Sequence, residues 1–528
     1  PYEQVPQPTI TDVKLDVQLF PREVRAVTRG EYAIENRTGA PLDHVHVRWD
    51  LRLRMDELQV DGGTVEQDRP DVHYRIFRLS PPMAPGERRR ITFATTLEER
   101  GFPARDPLTR VVENGTFLDN SQVAPSLGWW RGEGLLTDRA KRRKYGLPEL
   151  PRMAKLEDAS ARAHHYLRHD SDWVNAELSL TTDAGQVPVL PGYTVEDVTR
   201  GDRRTLRTRT EAPIHHFFSL LSARYAVKAQ AVGGVETAVL HHPPHTYAVD
   251  RMLGAMKRSL EVFGRAFSPY QFRQLRVLEF PAYATFAQSF SNTIPYSEAI
   301  GFVADASDPE KVDIATYVTA HEVAHQWFGH QIVGADMQGG TMLVETFAQY
   351  GALLVMEDLY GKAQLRRFTK YELDRYLRSR GSELVEELPL ARVENQGYIH
   401  YQKGTLVMAW LDEVVGREVV TRALRRLVSE FAFKPAPYPS STDFLRILRE
   451  EAGPAHDALI TDLFEKITLY DLGAKGAKVT RRPDGKFEVA LSVTAAKKYA
   501  DGKGVETEAP MDELVEVGVF AAEPGKKG

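Results

Sequence analysis

Thr319-Ala320-His321-Glu322-Val323-Ala324-His325-Gln326-Trp327-Phe328-Gly329-His330 is the stretch on which the reading of this 528-residue chain turns. On a helix, His321 and His325 stand one turn apart and project from one face. Two neutral imidazoles at that separation suit two corners of a zinc tetrahedron. Glu322 points to the same side without being a ligand, the position of a carboxylate that takes a proton from activated water. Val318, Val323, Ala324, Trp327 and Phe328 are apolar, as befits a helix buried in a domain core. With 16 histidines in 528 residues, this pattern is expected by chance only ~0.03 times. Two merely structural helix-face histidines are therefore the weaker reading.

A third ligand has to come from elsewhere, and Glu345 sits in Thr341-Met342-Leu343-Val344-Glu345-Thr346-Phe347-Ala348-Gln349-Tyr350, a second helical pattern. A buried glutamate on an otherwise apolar helix is costly unless it is paired or bound to metal. The alternative pattern, H-E-x-x-H-x-x-G-x-x-H, needs glycine at 328 and histidine at 331, where the chain has Phe328 and Gln331. His330 is one position off and is expected to pack or hydrogen-bond. Two histidines and a glutamate with an open fourth position form the catalytic rather than the structural zinc arrangement.

Working outward from this stretch, about three domains are expected for the length. Residues 1–235 read as an N-terminal antiparallel β domain, with alternation in Val13-Lys14-Leu15-Asp16-Val17-Gln18-Leu19 and His44-Val45-His46-Val47-Arg48-Trp49. One long irregular stretch, roughly 101–170, interrupts it. Residues 236–472 read as a mixed α/β catalytic domain: Met252, Met256, Leu260 and Phe263 give the first clear amphipathic helix. Strand-like Leu275-Arg276-Val277-Leu278-Glu279-Phe280 follows, and helical patterns dominate from Val312 to Ile467, with Ser441-Thr442-Asp443 as a cap. Residues 473–528 return to strands at 487–493 and 514–520, a short β domain too small to close a sandwich alone, which points to truncation. The fold class expected is thus multidomain α+β.

The residues now carry a resemblance. His321-Glu322-x-x-His325-Gln326-Trp327-Phe328-Gly329, then Glu345-Thr346-Phe347-Ala348-Gln349-Tyr350, then Tyr401-Gln402-Lys403-Gly404 resemble the aminopeptidase N-type gluzincin family of zinc metallopeptidases. The resemblance implies a β domain followed by a thermolysin-like catalytic domain and often another β domain. It also implies one zinc on His321, His325 and Glu345, with Glu322 as the catalytic base. Tyr401 of the Y-x-K-G motif would donate a hydrogen bond to the tetrahedral oxyanion, a role that suits a neutral phenol facing a developing negative charge.

The departures bear on the substrate. Residues 326–344 make nineteen between His325 and Glu345, one more than the family's usual gap, and a loop insertion near Gly339-Gly340 is expected to absorb it. Where the family has G-x-M-E-N, whose glutamate grips a free α-amine, alignment back from Tyr296-Ser297-Glu298 puts Ser289. The second anchor, from a Q-x-E motif, has its nearest match at Ser121-Gln122-Val123-Ala124, with Ala124 in the glutamate's place. Gln122, Ser289 and Glu298 are the substrate-binding candidates, and without Glu298 or Asp119 reaching in, no charge meets the amine.

Segments 115–120, 146–148 and 467–472 resemble the soluble peptidase-like domains fused to bacterial ABC-type transporter permeases. That resemblance implies a membrane permease partner and an extracytoplasmic, periplasmic place for this part, against a cytoplasmic alternative. The chain begins Pro1-Tyr2-Glu3 without methionine or an apolar leader, so it is read as processed or cut from something larger.

Composition excludes several classes. Cysteine is absent, so disulfides, thiolate metal sites and cysteine nucleophiles are ruled out. The 68 basic and 73 acidic side chains leave a net charge of −5, with no footprint for nucleic acid. No G-x-S-x-G, P-loop or G-x-G-x-x-G occurs. His241, His242 and His245 read as a polar surface turn, with a second metal as the lesser alternative. Ala140-Lys141-Arg142-Arg143-Lys144 reads as a solvated loop, with contact to anionic lipid or a partner as the lesser alternative. The function expected is metal-activated hydrolysis of a peptide or protein substrate. The rival is a peptidase fold kept as a peptide-binding or transporter-regulating module.

Overall fold

In the computed structural model, residues 2–99, 110–131, 135–305, 308, 311–513, 515 and 517–519 are described. The alternation of the first strand, Thr9–Phe20, sends Val13, Leu15, Val17 and Leu19 inward while Lys14 and Asp16 stay in solvent. This strand lies within an eight-stranded sheet, between Arg25–Glu35 and Trp173–Asp183. The expectation of a purely antiparallel β domain needs a correction: Thr9–Phe20 runs parallel to Trp173–Asp183, with Val13 opposite Ala176 and Val17 opposite Leu180. Both strands bury their apolar residues in one core with Tyr32, Ile34 and Ile91, so the long connection ends where burial demands it.

A small sheet of Val187–Val189, Ser219–Ala223 and Thr116–Asp119 reaches toward the second half of the chain. There Phe117 packs on Phe280, with ring centroids 5.2 Å apart, and on Phe290 at 6.0 Å.

The second half is built on a four-stranded mixed sheet. The hairpin of Ala226–Val232 and Val235–His241 pairs antiparallel, and Gln274–Phe280 and Thr293–Ser297 then add in parallel. This sheet extends across the 235/236 position at which the sequence pattern changes. The helix Val249–Ala266 buries Met252, Met256, Leu260 and Phe263 and carries Asp250 in its first turn and Arg265 in its last, complementing its dipole. It packs on the helix Ile314–Ala324, which carries the quoted motif and packs in turn on Phe347–Tyr360. The motif helix is buried on nearly every side, with Ala320, Val323 and Ala324 fully enclosed, as a helix surrounded by others must be. Asp313 caps it by accepting from the Thr316 amide at 3.1 Å and ties it to its neighbours through Arg251 and the Tyr360 hydroxyl. At the helix Ser441–Ala452 the cap is Ser440, closed reciprocally with Asp443.

Two further sequence expectations differ from the fold. The basic run 140–144 is not a loop but a short helix, Arg139–Lys144, because Asp138 caps it through the Lys141 amide at 2.7 Å. Arg142 is buried there, donating to the Pro148 carbonyl at 2.9 Å and the Leu136 carbonyl at 2.7 Å. After the helical region the strands Ile467–Arg481, Phe487–Ala500 and Glu506–Ala509 form a three-stranded sheet. Lys497 anchors it, donating to Asp462 at 2.9 Å and Glu513 at 2.6 Å. The strand expected over 514–520 is not formed at 515 and 517–519, and its positions 514, 516 and 520 lie outside the described residues. Among the described residues, no helix is long and apolar enough to cross a membrane.

Candidate metal centre and active site

The helix Ile314–Ala324 delivers His321 from its last turn, and His325 follows as its C-cap, still helical in conformation. Their Nε2 atoms face each other at 3.0 Å. Glu345 arrives from the next helical layer, its Oε2 lying 3.5 Å from His321 Nε2 and 3.3 Å from His325 Nε2. Ligands about 2.0–2.2 Å from a tetrahedral zinc stand about 3.3–3.5 Å from one another, so the three atoms already have the spacing of a metal centre. His325 Nδ1 lies 3.0 Å from the Phe328 carbonyl, which fixes the tautomer that leaves Nε2 as the ligand atom. Glu345 Oε2 is buried and has no hydrogen-bond partner, a cost that a cation removes. The residues therefore fit the ion.

The turn after His325 accounts for the rest of the motif. Gly329 has a φ of +145°, and a Cβ there would stand 3.0 Å from the His325 carbonyl oxygen, so glycine is required beneath the second histidine. Trp327 is buried and donates to the Ser268 carbonyl at 2.9 Å. Gln326 donates to Ser289 Oγ at 2.6 Å and the Phe290 carbonyl at 2.8 Å, and accepts from the Asn292 amide at 2.9 Å. His330 Nε2 lies 3.1 Å from the Ser289 carbonyl. The motif thus clamps segment 289–292 alongside itself, and His330 is a hydrogen-bonding residue.

Glu345 lies on a π turn, Met342–Thr346, and Tyr401 on another, Tyr398–Lys403. A π turn holds one residue more than an α turn and is frequent at functional sites. Gly339 and Gly340, between His325 and Glu345, are tightly packed. Those glycines sit in a close backbone crossing, where a Cβ on Gly340 would meet the Ala335 oxygen at 2.3 Å. Thr346 Oγ1 donates to the His400 carbonyl at 2.6 Å and so joins the two π turns. A Cβ on Gly404 would meet the same Thr346 Oγ1 at 2.6 Å, which explains the glycine after Lys403.

Electrostatics tie five groups together. Burial pushes the Glu322 carboxyl up, with His325 and His321 opposing. Glu345 is held well below the usual carboxylate range, because the two histidines outweigh its burial. Burial disfavours a charged His325, but Glu345 and Glu322 outweigh it and raise the imidazole from 6.5 to about 9. The Tyr401 phenol is pushed up by burial and by Glu345, and its ring centroid lies 5.9 Å from that of His321. Tyr398 is turned elsewhere, onto Tyr376 and toward Glu383 and Glu387.

A proton-coupled metal response follows. In the metal-free protein at pH 7, His325 is protonated, and a cation has to displace that proton. Zinc binding at pH 7 should therefore release about one proton from this residue, with affinity rising about tenfold per pH unit until the pH passes the raised value. Calorimetric titration in two buffers of different ionisation enthalpy counts the protons, and a count of zero at pH 7 contradicts this electrostatic reading.

Tyr166 is the residue that sequence reasoning missed. Burial pushes its phenol up, with the charges of Glu345 and Glu322 adding to it, so it lies within electrostatic reach of the same centre. Its segment is strapped across the motif's exit loop: the Tyr166 amide donates to the Gly334 carbonyl at 3.1 Å and the Asp336 amide to the His164 carbonyl at 2.9 Å. It comes from irregular sequence with no periodicity, so no local signal points to it.

The substrate candidates do not assemble in the same way. The Ser289 main chain faces Glu322, but its hydroxyl is taken by Gln326. Gln122 accepts from the Asp119 amide at 3.0 Å in a capping box that also holds Asp119. Glu298 accepts from the Ala282 amide at 2.9 Å and faces His245, in a different cluster.

Comparison with known proteins agrees with this architecture. Residues 251–466 match the Peptidase family M1 domain. Aminopeptidase M1-B of Oryza sativa subsp. japonica is 27% identical over 218 residues, which cover 39% of this chain and 24% of that protein. Endoplasmic reticulum aminopeptidase 2 of Homo sapiens is 25% identical over 214 residues, covering 38% of this chain and 22% of that protein. The matches thus span about a quarter of the length of these curated relatives. The crystal structure of an M1 zinc metallopeptidase from Deinococcus radiodurans superposes with a TM-score of 0.62 at 19% identity, covering 88% of this chain and 95% of that one. The matched region and the shared fold agree: residues 251–466 match the Peptidase family M1 domain, and the chain shares the fold of the Deinococcus radiodurans structure.

Proposed function

We propose that this chain is a zinc metallopeptidase that hydrolyses peptide bonds, with His321, His325 and Glu345 as the metal ligands and Glu322 and Tyr401 as the catalytic residues. The observation that carries the reading is the convergence of three ligand atoms at metal spacing on a buried glutamate and a phenol. When bound, zinc supplies Lewis-acid polarisation of a carbonyl and makes a water nucleophilic near neutral pH. Glu322 takes the proton of the attacking water on a carboxylate oxygen and passes it to the leaving amine. Its raised affinity for a proton suits the second half of that task. Tyr401, whose proton is held tightly by burial and nearby negative charge, donates a hydrogen bond to the carbonyl oxygen as charge builds there. A mutant of the Deinococcus radiodurans enzyme has been crystallised bound to a Tyr-Ser-Ala substrate, which supports a peptide for this fold. Turnover of a peptide library, lost on chelation and restored by zinc, is the expected result. Turnover indifferent to chelator would refute the reading.

The specificity is proposed to depart from strict trimming of free N-termini. A buried carboxylate facing the substrate ammonium gives both affinity and register. Ser289 and Ala124 stand at the two anchor positions, and Glu298 is engaged with Ala282 and His245. Acetylating a peptide's N-terminus should therefore change kcat/KM little, and single amino-acid amides should be poor substrates. Matched free and acetylated peptides, with cleavage positions read by mass spectrometry, test this. One-residue trimming of free peptides only, with acetylated ones untouched, would show an ordinary aminopeptidase.

The same altered anchors favour a second reading, in which the fold binds peptides or regulates a transporter without significant turnover. The resemblance to permease-fused domains supports a membrane permease as the partner and an extracytoplasmic location. Binding of peptides without chelator-sensitive cleavage is the result that selects this second reading.

A further inference from the structure

The strands Val235–His241, Gln274–Phe280 and Thr293–Ser297 run parallel, so their carboxyl ends open on one edge of the sheet. Four ligand-type side chains meet there: His242, His245, Glu279 and Glu298, each offering an atom within 4.8 Å of the others. His245 Nδ1 is hydrogen-bonded to Glu279 Oε1 and lies 3.8 Å from Glu298 Oε2, while His242 Nδ1 lies 3.8 Å from Glu279 Oε1. Two of these separations exceed the 3.0–3.5 Å of the first centre by only a few tenths of an ångström. The group is not a surface ion pair, because the Glu279 side chain is fully buried and that of His242 is 12% exposed.

The remaining carboxylate oxygens are already satisfied. Glu279 Oε2 accepts from the His242 amide at 2.6 Å, and Glu298 Oε1 accepts from the Ala282 amide at 2.9 Å. This second layer aims one oxygen of each carboxylate into the cluster, as monodentate ligands require. Two carboxylates and two imidazoles thus surround a mostly buried position. Arg224, the nearby cation, pairs with Glu113 at 3.6 Å. A divalent cation would take the place of the hydrogen bond between His245 and Glu279.

We propose that His242, His245, Glu279 and Glu298 form a second divalent-cation site, of zinc type and structural in role. Two nitrogens and two oxygens fill a tetrahedron and leave no position open for substrate. The ion would clip the 242–245 turn to the start of the 281–292 segment. That segment touches the β domain through the Tyr283 hydroxyl, which donates to the Gly115 carbonyl at 2.9 Å, and reaches the motif helix through Ser289 and Gln326. The site would thus brace the wall that flanks Glu322 from outside the chemistry.

The test reads metal content, not turnover, so it is independent of the peptidase proposal. A His321→Ala/His325→Ala variant, loaded with zinc and dialysed, should retain about one zinc per chain by mass spectrometry. Adding Glu279→Gln and His245→Ala should bring the content near zero. Zinc should raise the Tm of the first variant by several degrees and leave that of the second unchanged. Circular dichroism establishes that each variant is folded, and Glu279→Gln alone, which keeps the acceptor for the His242 amide, should weaken zinc at least tenfold. A folded His321→Ala/His325→Ala variant with no zinc would overturn the proposal and leave a hydrogen-bonded latch in its place. Retention undiminished by His245→Ala would overturn it equally.

Discussion

Glu345→Ala should lose the zinc of the motif centre and all measurable turnover, while Glu322→Gln should keep that zinc and still lose roughly 10²–10⁴-fold in kcat, the usual range for a general acid–base group. The two glutamates are separated by geometry. Glu345 places Oε2 at 3.3 and 3.5 Å from the two histidine nitrogens, whereas Glu322 interacts with the same groups only through its charge. Removing Glu345 leaves two imidazoles, one of them raised toward protonation chiefly by that very carboxylate. Without it His325 returns toward the neutral form, so the loss of metal in Glu345→Ala reflects a missing ligand and not a more tightly held proton. Glutamine at 322 preserves shape but has no carboxylate oxygen to take the proton. Metal analysis and single-turnover kinetics on the two variants separate the roles. Zinc lost from Glu322→Gln, or turnover retained by it, would contradict the assignment.

These residues were legible because their placement is local. A four-residue spacing on a helix sets His321 beside His325, and an apolar helix with one glutamate advertises a paired carboxylate. The helix Val249–Ala266 and the strand Gln274–Phe280 were equally readable, since each buries the face its period predicts. What escaped depended on distant partners. Nothing in Thr9–Phe20 says that it will run parallel to a strand more than 150 residues later, because either direction buries the same alternating side chains. The helix Arg139–Lys144 turns on one aspartate cap and a buried arginine whose acceptors are loop carbonyls. The two π turns have no composition of their own, so nothing in the sequence marks Glu345 and Tyr401 as lying on them. Tyr166 comes from an irregular segment fixed by main-chain hydrogen bonds to the 334–336 loop, and such bonds leave no side-chain pattern. The second histidine–glutamate cluster was legible only in its histidines, and His241 of the three is not part of it. His242 and His245 come from a proline-rich turn, and only the parallel strand order brings Glu279 and Glu298 to them.

Tyr401→Phe should keep fold and zinc but lower kcat by about 10²–10³-fold, the scale of losing one donor to a developing oxyanion. Tyr401 is held through its main chain and by ring contacts with His321 and His400, so the substitution removes the hydroxyl alone. It sits on the π turn Tyr398–Lys403, its carbonyl accepts from Thr405 Oγ1 at 2.7 Å, and the neighbouring His400 carbonyl accepts from Thr346 beside Glu345. The phenol keeps its proton well above its ordinary value, so it meets the reacting carbonyl as a neutral donor throughout the working pH range. Such a bond strengthens only as charge accumulates on the oxygen, so the loss should fall on kcat with KM little changed. The pH profile should keep its shape, because the removed group does not titrate in that range. Tyr166 supplies the internal control: its phenol lies within electrostatic reach of the same pair of glutamates, so Tyr166→Phe reports whether a second donor shares the task. If Tyr401→Phe leaves kcat intact while Tyr166→Phe lowers it, the donor comes from the strapped segment and not from the π turn. If both leave it intact, the carbonyl oxygen is stabilised by other groups, and the mechanism proposed for this chain is wrong at that step.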